Sequence, residues 1–522
     1  MRHTYRTLMI LVLAWATAAS ACSSGSKCGV VPSADDVAVV TDASPETDEV
    51  GPAVPPAPPK FVLKQAIVAD SAGADGEPRM LMPGSVAVSD DGNTVVVGSV
   101  GNNYVEGEKA TLAVFHRSGH ALAFELTDQH AAPLLANPDS GSDESDFVTT
   151  QALRVIPGEP KALFVAQCLH WDGAHAGGLL RSLEWNPDTG KIVSVQVHDI
   201  AWNGCSTADG CIAWSIGGMR VSRDGRFLYL SALRKPDSAN EPSSQWWVFV
   251  MSLESGVPKL VQAVEPYLPL RHLALSRDDG YLLAMDLNET FVVLERDSAS
   301  GLLGEPAYAE ASPGAWYKGL TKSNLDTFFQ GRWWGLEPAA GANDFVLAAE
   351  LWVDDYTTVF LHVLGVALQA SSAGAMLSVD VMPALGESVV GEVPADPAPD
   401  QMVGGFAAAP DGQAVAFSHW GGSQGQPDSD LLTLAWRVPG TPTIVPCQTW
   451  PLGYELAWRW GAVSGLYCDS IWGQERIAFS PDGQDLYTTC AYNAGKPEAG
   501  GHSAGGVLFH FQQVDSVEEG EQ

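Results

Sequence analysis

The sequence has few basic residues for its length. Its 522 residues include 28 Lys and Arg against 62 Asp and Glu, which gives a formal net charge of −34 at pH 7. Nucleic-acid binding depends on basic side chains that neutralise phosphates, so this charge argues against a nucleic-acid partner. An anionic membrane surface would also repel the chain. Hydrophobic residues make up 46% of the sequence, which is enough for a large core and excludes global disorder.

Several common enzyme motifs are also missing. The sequence contains no P-loop, no dinucleotide-binding glycine fingerprint and no HExxH helix, and it has no CxxC spacing that would favour zinc. Residues 421–425 and 501–505 fit the Gly-x-Ser-x-Gly nucleophile pattern by letter. That nucleophile needs a sharp strand-to-helix turn. Both segments lie in predicted connections between strands, so we do not expect a serine hydrolase.

The first 22 residues have the features of an export signal. A basic start at 1–6 precedes an apolar run at 7–19, which is shorter than the roughly 20 residues a helix needs to span a bilayer. Residues 19–22, with the sequence ASAC, resemble the bacterial lipobox. This resemblance implies that Cys22 becomes the lipidated N-terminus of an exported lipoprotein, anchored in the outer membrane and facing the periplasm or the cell surface. Ordinary secretory cleavage after Ala21 is the alternative.

Composition divides the chain into four parts. The signal peptide is 1–21, and residues 22–60, which begin with the lipidated cysteine, are rich in Pro, Ser and acidic residues and predict a disordered tether. Residues 61–514 predict the folded body, and 515–522 predict an acidic tail. No later stretch is long and apolar enough to span a bilayer. We therefore expect contact with the membrane through the lipid anchor only.

One phrase recurs along residues 61–514. In five places an apolar strand, a tight turn ending in Asp-Gly and a second apolar strand follow one another, which is a strong hairpin signal, and two degenerate copies fill the long gaps. The turn glycines are Gly92, Gly158, Gly225, Gly280, Gly341, Gly412 and Gly483. With two further strands for each copy, the pattern predicts an all-β fold, a seven-bladed β-propeller of four-stranded blades. We expect an N-terminal strand at 61–68 to close the ring by joining a strand at 506–511.

These repeats resemble those of bacterial WD-like and YVTN (lactonase-like) propellers, whose blades carry Ser-Pro-Asp-Gly between the first two strands. Residues 480–483 have this sequence, and the resemblance covers about 61–514. The first copy alone, at 85–99, is also similar to an FG-GAP repeat. The resemblance implies the fold, and many unrelated functions are built on this fold. In related lactonase-type propellers the chemistry takes place at the mouth of the central funnel.

One position of the repeat, near the end of each second strand, predicts side chains at this funnel mouth. Asp286 and His419 occupy this position, and Glu350, in the copy between them, falls at it or within one residue of it. We name these three as candidate catalytic residues. Carboxylates and imidazoles act as acids and bases or bind divalent cations, so Asp286 and Glu350 are also candidate ligands of Ca²⁺. The acidic run at 139–146 is either a second Ca²⁺ loop or a solvated loop. No family catalytic motif matches this sequence residue by residue.

Tryptophan and cysteine residues concentrate near one predicted face. Aromatic rings stack on sugars and flat organic molecules, and the candidate ligand-binding rim consists of Trp171, Trp202, Trp214, Trp333, Trp334, Trp420 and Trp472. Packing of long connections is the alternative role for these residues. Disulfides persist in exported proteins, and the disulfide candidates, with their pairing left open, are Cys168, Cys205, Cys211, Cys447, Cys468 and Cys490.

Together these features predict a binding or scaffolding module whose partner is a protein, a glycan or a small molecule. The alternative is a lactonase-like hydrolase with a metal or acid/base site at the funnel. An enzyme needs a converging polar cluster at the funnel mouth, whereas a binding module needs only an exposed aromatic rim. A third interpretation gives the rim a purely structural role. Ca²⁺ is the only cofactor that the sequence suggests.

Overall fold

The structure is a computed structural model, and all the residues that it describes belong to one unit, 56–522. The described residues are 58–69, 83–99, 111–117, 126–133, 147–169, 179–203, 205–206, 212–234, 245–266, 270–286, 290–310, 332–339, 341, 344–353, 358–370, 377–383, 403–420, 430–437, 444–451, 468–469, 476–493 and 504–514. The predicted signal peptide, almost all of the predicted tether and the acidic tail lie outside them. Within these ranges every regular element is a strand, and no helix qualifies as a membrane span.

The strands form antiparallel sheets in which neighbours in sequence pair with each other. After β1 (Lys60–Ala69), the first sheet is β2 (Pro83–Val88), β3 (Thr94–Ser99), β4 (Thr111–Arg117) and β5 (Leu126–Pro133). The second is β6 (Phe147–Val155), β7 (Lys161–Leu169), β8 (Leu179–Trp185) and β9 (Ile192–His198). A ribbon, β10 (Ala201–Trp202) and β11 (Cys205–Ser206), precedes the third sheet, β12 (Ile212–Val221), β13 (Phe227–Arg234), β14 (Gln245–Ser252) and β15 (Lys259–Val264).

The second half of the chain repeats the same order. The fourth sheet is β16 (Leu270–Leu275), β17 (Tyr281–Asp286), β18 (Thr290–Glu295) and β19 (Ala307–Glu310). The fifth is β20 (Arg332–Pro338), β21 (Asp344–Val353), β22 (Thr358–Ala370) and β23 (Leu377–Pro383), and the sixth is β24 (Val403–Ala408), β25 (Ala414–Trp420), β26 (Asp430–Arg437) and β27 (Ile444–Pro451). The closing sheet contains β28 (Cys468–Asp469), β29 (Ile477–Phe479), β30 (Asp485–Asn493) and β31 (Ala504–Val514), with β1 as its outer strand.

The first strand of each sheet contacts the first strands of the sheets on both sides. These contacts run from β2 through β6, β12, β16, β20 and β24 to β29, which returns to β2. The ring is completed by pairing between the two ends of the chain, because β1 runs antiparallel to β31 with Lys60 opposite Val514. The described strands thus confirm the predicted all-β propeller of four-stranded sheets and its closure by an N-terminal strand.

The described core lies between neighbouring sheets. One cluster joins Leu112 and Val114 of the first sheet to Leu183 of the second, and equivalent clusters lie between the second and third and the third and fourth sheets. Phe61 of β1 is 1% exposed and packs between the sixth sheet and the closing sheet. Because each sheet shares its apolar faces with two neighbours, stability comes from the ring as a whole.

The predicted tight turns have a common hydrogen-bond pattern. Ser89 Oγ accepts a hydrogen bond from the N–H of Thr94 at 2.8 Å and donates to Asp91 Oδ1 at 2.6 Å, and Gly92 has a φ of 70°. Burial would raise the pKa of the Asp91 carboxyl, but the hydrogen bonds from Ser89 and Asn93 outweigh burial and hold it below its ordinary value. The same bonds recur at the turns that begin with Ser222, Ser276 and Ser480.

The fourth turn differs from the prediction in one residue. The left-handed position is occupied by Asp279, with a φ of 58°, and not by Gly280. The N–H of Asp279 donates to the carbonyl of Ser276, as Gly92 does to Ser89, so the extra aspartate displaces the glycine by one position. Aspartate tolerates this conformation better than most residues. Here its Oδ2 accepts the N–H of Arg223 at 2.9 Å and links the third and fourth turns.

Candidate functional site

The first strands of all the sheets surround a central channel with a cavity of about 270 Å³. Of its 17 lining residues, 12 have no polar group in the side chain, and nine come from β2, β24 and β29. Five side chains bring polar chemistry to it, and they are Asp90, Arg154, Arg220, His272 and Glu337. Because these residues lie on the innermost strands or at their turns, their positions are fixed by the ring of sheets.

Three of the five occupy one repeat position, two residues before the residue that opens each tight turn. Ala87, Ala407 and Ala478 hold this position in β2, β24 and β29, whereas Arg154, Arg220 and Glu337 hold it in β6, β12 and β20. A small side chain suits the narrow centre of the ring. Charged residues in an otherwise alanine-rich column were therefore a signal that the sequence analysis did not use.

Arg220 crosses the channel. Its Nη2 lies 2.8 Å from Glu337 Oε1 and also donates to the carbonyl of Leu336 at 3.0 Å, while Nη1 donates to the carbonyl of Met219 at 2.9 Å. Arg220 belongs to the third sheet and Glu337 to the fifth, so the ion pair passes the fourth sheet. The guanidinium is thereby held in one orientation inside the channel.

Arg154 and His272 bring nitrogen groups to the same cavity. Arg154 Nη1 donates to the carbonyl of Leu153 at 2.8 Å, which holds the guanidinium against its own strand. His272 is 2% exposed and follows a register shift between Leu270 and His272 in the pairing of β16 with β17. Guanidinium groups bind carboxylates and phosphates through paired hydrogen bonds, and the Glu337 carboxylate accepts hydrogen bonds. The channel therefore combines donors and an acceptor suited to a polar ligand that bears an anionic group.

The predicted ring of Asp286, Glu350 and His419 lies further along the strands. Asp286 is opposite Leu270, Glu350 is opposite Arg332 and His419 is opposite Val403, and each partner is the first residue of its inner strand. Asp286 and His419 thus hold equivalent positions in the fourth and sixth sheets, directly beyond the register shift. In the fifth sheet the equivalent residue is Ala349, opposite Trp333, and Glu350 lies one residue further along. Because successive residues of a strand face opposite sides of the sheet, the three residues do not form one column. Their side chains lie outside the described part of the structure, so convergence at the funnel mouth stays a prediction.

Metal binding also remains a prediction. Among the side chains that the structure describes, no group of three or more His, Cys, Asp or Glu residues could hold a metal ion. The candidate Ca²⁺ ligands Asp286 and Glu350 are not among those side chains. The acidic run at 139–146 falls outside the described residues.

The predicted aromatic rim is described at one side chain. The ring of Trp202 lies 4.3 Å from that of Trp247 and 5.6 Å from that of Phe249, on the surface of the core between the second and third sheets. This contact agrees with the packing alternative at that position. Four further members lie in strands, with side chains that are not described, and these are Trp214, Trp333, Trp334 and Trp420. Trp171 and Trp472 lie outside the described residues.

The candidate disulfide residues are spread over several sheets. Cys447 lies within β27, and its Sγ donates to the carbonyl of Leu434 at 3.3 Å. The backbones of four others are placed in β7, β11, β28 and β30, and they are Cys168, Cys205, Cys468 and Cys490. Cys211 lies outside the described residues. The pairing of the six stays a prediction.

The comparisons with known proteins give no sequence match and only low structural similarity. No known protein family matches the sequence, and no curated protein matches it significantly. Among solved structures, the periplasmic gluconolactonase PpgL of Pseudomonas aeruginosa is similar with a TM-score of 0.47 and 15% identity, over 76% of this chain and 97% of that chain. Hydrazine synthase of Kuenenia stuttgartiensis gives 0.40 and 12% over 78% and 92%. A functionally unknown protein of Desulfotomaculum acetoxidans DSM 771 gives 0.38 and 12% over 75% and 88%. Similarities this low transfer no activity, and the fold assignment here rests on the strand order and the ring of contacts.

Proposed function

We propose that this chain is an exported, lipid-anchored binding module that holds a small anionic ligand in the central channel of a seven-bladed propeller. The blade number follows from counting the closing sheet as the seventh blade. β28 and β29 pair with successive parts of β30, so this sheet is four strands deep from its inner edge to β1. The lipobox at Cys22 and the acidic, proline-rich tether support anchoring and export.

The observation that carries the proposal is that two arginines balance two carboxylates, Asp90 and Glu337, in the channel of a chain with a net charge of −34. The channel is therefore less acidic than the rest of the molecule. Arg220 is fixed by Glu337 and by two carbonyls, and Arg154 lies on a neighbouring inner strand. Guanidinium groups held in this way need no rearrangement to meet a carboxylate or phosphate, which favours binding. Glu337 and His272 can take part in hydrogen bonds to hydroxyl groups of the same ligand.

The cavity volume of about 270 Å³ is close to the lower limit for small-molecule sites. A small acid with hydroxyl groups therefore fits better than a large cofactor. The Trp-rich loops, on this proposal, add contacts to a glycan or protein partner at the rim.

The test uses the mature chain with Cys22→Ser, which prevents lipidation. Monocarboxylates, dicarboxylates, sugar phosphates and neutral sugars are screened by thermal shift, and hits are measured by calorimetry. We expect an anionic compound to bind and Arg154→Gln to weaken it at least tenfold. The matched control is Arg226→Gln, an exposed arginine that pairs with Glu254 on the outer surface. Equal binding by wild type and Arg154→Gln would reject the channel as the site.

The hydrolase alternative has one supporting observation, the equivalent register positions of Asp286 and His419 in the fourth and sixth sheets. It predicts that lactones are hydrolysed and that Asp286→Asn or His419→Gln abolishes turnover without changing the melting temperature. Retention of activity in both variants would remove these residues from the proposed chemistry.

A further inference from the structure

Exposed apolar side chains concentrate on the outer parts of three consecutive sheets. Among the described residues, every exposed large hydrophobic side chain belongs to the second, third or fourth sheet. Val193 and Val197 lie on β9. The other four are Val257 at 50%, Val261 at 44%, Leu302 at 39% and Tyr308 at 44% exposure. We call these four residues the outer seam.

We propose that the outer seam docks a cationic protein segment that also carries apolar side chains. This surface is on the outer edge of the ring, far along the sheets from the channel, and the proposal does not depend on the channel ligand. Exposed apolar side chains with a polar border are the usual anatomy of a protein interface.

Polar contacts between the third and fourth sheets hold the outer seam rigidly. The Gln262 side chain donates through Nε2 to the carbonyl of Leu303 at 2.7 Å, and its Oε1 accepts the N–H of Leu303 at 2.8 Å. The hydroxyl of Tyr308 donates to the carbonyl of Pro266 at 2.9 Å. Val261 and Leu302 each adjoin one residue of the Gln262–Leu303 pair in sequence. A surface fixed in this way loses little conformational entropy when a partner binds.

The border of the outer seam is acidic. The carboxylates nearest to it in sequence are Glu254, Glu265, Glu295, Asp297 and Glu305. Glu254 pairs with the exposed Arg226, which leaves four carboxylates against Lys259 and Lys161, whose Nζ donates to the carbonyl of Gly256. Hydrogen bonds from Ser300 keep the pKa of the Asp297 carboxyl below its ordinary value, so this group is ionised. Arg296, a further basic residue of the region, is 4% exposed and turned into the core, where it bonds Tyr229.

Charge selects the partner. A net charge of −34 attracts a cationic segment over long distances and repels anionic surfaces. A second copy of this chain would bring the same carboxylates against the border of the outer seam, which disfavours self-association. A neutral apolar partner would gain nothing from the acidic border.

The test measures binding of labelled peptides to the mature Cys22→Ser protein by fluorescence anisotropy. The probe is a ten-residue peptide of alternating Lys and Val, and the controls alternate Lys with Ser or Glu with Val. We expect the Lys/Val peptide to bind at least tenfold more tightly than either control, and its binding to weaken as salt is raised. The double variant Val261→Ser/Tyr308→Ser should weaken binding at least fivefold. Both residues are exposed, and an unchanged melting temperature verifies folding.

Two matched variants separate the possible outcomes. Val197→Ser changes a valine outside the outer seam that is 43% exposed, against 44% for Val261, and should leave binding unchanged. Arg154→Gln in the channel should also have no effect on peptide binding. Binding that is insensitive to Val261→Ser/Tyr308→Ser overturns the proposal. Analytical sedimentation could instead show a wild-type dimer that is absent in this double variant. That result would identify a second copy of the chain as the occupant and would overturn the proposal of a cationic partner.

Discussion

Arg220 of the third sheet and Glu337 of the fifth sheet form an ion pair at 2.8 Å across the central channel. The two side chains are 11% and 24% exposed, so water screens the pair only in part. The pair connects two sheets that the fourth sheet separates. It therefore acts on the spacing of the inner strands as well as on the charge of the channel.

Loss of the Glu337 carboxylate should destabilise the ring. Glu337→Gln keeps the size of the side chain but removes the negative charge that faces Arg220, and we expect a loss of about 1–3 kcal/mol in the free energy of unfolding. Urea denaturation of the mature Cys22→Ser protein measures it. Glu254→Gln, which breaks an exposed pair with Arg226 at 2.7 Å, should cost less than about 1 kcal/mol. Equal losses in the two variants would contradict the proposed strength of the channel pair.

The closing strand should depend on one glutamine. Gln448 Oε1 accepts the N–H of Phe61 at 2.7 Å, and its Nε2 donates to the carbonyl of Phe61 at 3.0 Å. Gln448→Ala removes both bonds, and we expect a loss of about 1–3 kcal/mol together with faster hydrogen exchange in β1. Lys64→Ala, an exposed change in the same strand, should stay within about 0.5 kcal/mol of wild type. Unchanged exchange at Phe61 in Gln448→Ala would show that this clamp is dispensable.

The turn aspartates should make stability depend on acid pH. The pKa values of Asp91, Asp224 and Asp278 are lowered, because hydrogen bonds from the turn serines and backbone outweigh the opposing effect of burial. A lowered folded-state pKa gives stability that is present above the ordinary value of 3.8 and is lost as pH falls through the folded value.

The corresponding variant is Ser89→Ala/Ser222→Ala/Ser276→Ala. We expect a shallower loss of unfolding free energy between about pH 4 and pH 2 than in wild type, measured by urea denaturation at each pH. Ser255→Ala, whose exposed hydroxyl bonds only a nearby carbonyl in the described structure, is the control. A triple variant with the wild-type acid profile would mean that these hydroxyls do not stabilise the ionised carboxylates.

A buried tyrosine should set the alkaline limit. Burial raises the pKa of Tyr229 to about 12, against the effect of Arg296, whose Nε donates to its hydroxyl at 2.5 Å. A raised folded-state pKa gives stability that is complete below the ordinary value of 10.0 and is lost as pH rises toward 12. Tyr229→Phe should show a flatter profile between these values, with lower stability at neutral pH. The same alkaline slope in Tyr229→Phe and wild type would assign the transition to other groups.

The repeated turns were predictable from sequence because their bonds are local. A serine, an aspartate two residues later and a left-handed residue are sufficient to close the hairpin, as at Ser89, Asp91 and Gly92. The left-handed residue of the fourth turn was predicted to be Gly280. The sequence keeps the Asp-Gly pair there, but the extra aspartate moves this pair one position along the turn, so Asp279 takes the left-handed position.

The channel residues were harder to predict because their contact is not local. Arg220 and Glu337 meet only through the packing of three sheets around the ring, and the two residues are far apart in sequence. The predicted site lay near the ends of the second strands, where Asp286 and His419 stand. The charged channel residues instead belong to an inner-strand column in which arginine and glutamate replace alanine. The strand order thus follows from the repeats, whereas the side chains that fill the centre depend on how the repeats close.

Closure between β1 and β31 also determines how the ring responds to force. Lys60 lies opposite Val514, so a pull on the chain at Lys60 acts on the last hydrogen bonds of an antiparallel pair. These bonds would break one after another by unzipping of the strand pair, and not all together by shearing of one strand along the other. A load transmitted through the N-terminal segment would peel β1 from the ring before any other sheet opened. The strand that completes the ring is therefore also the strand that would detach first under such a load.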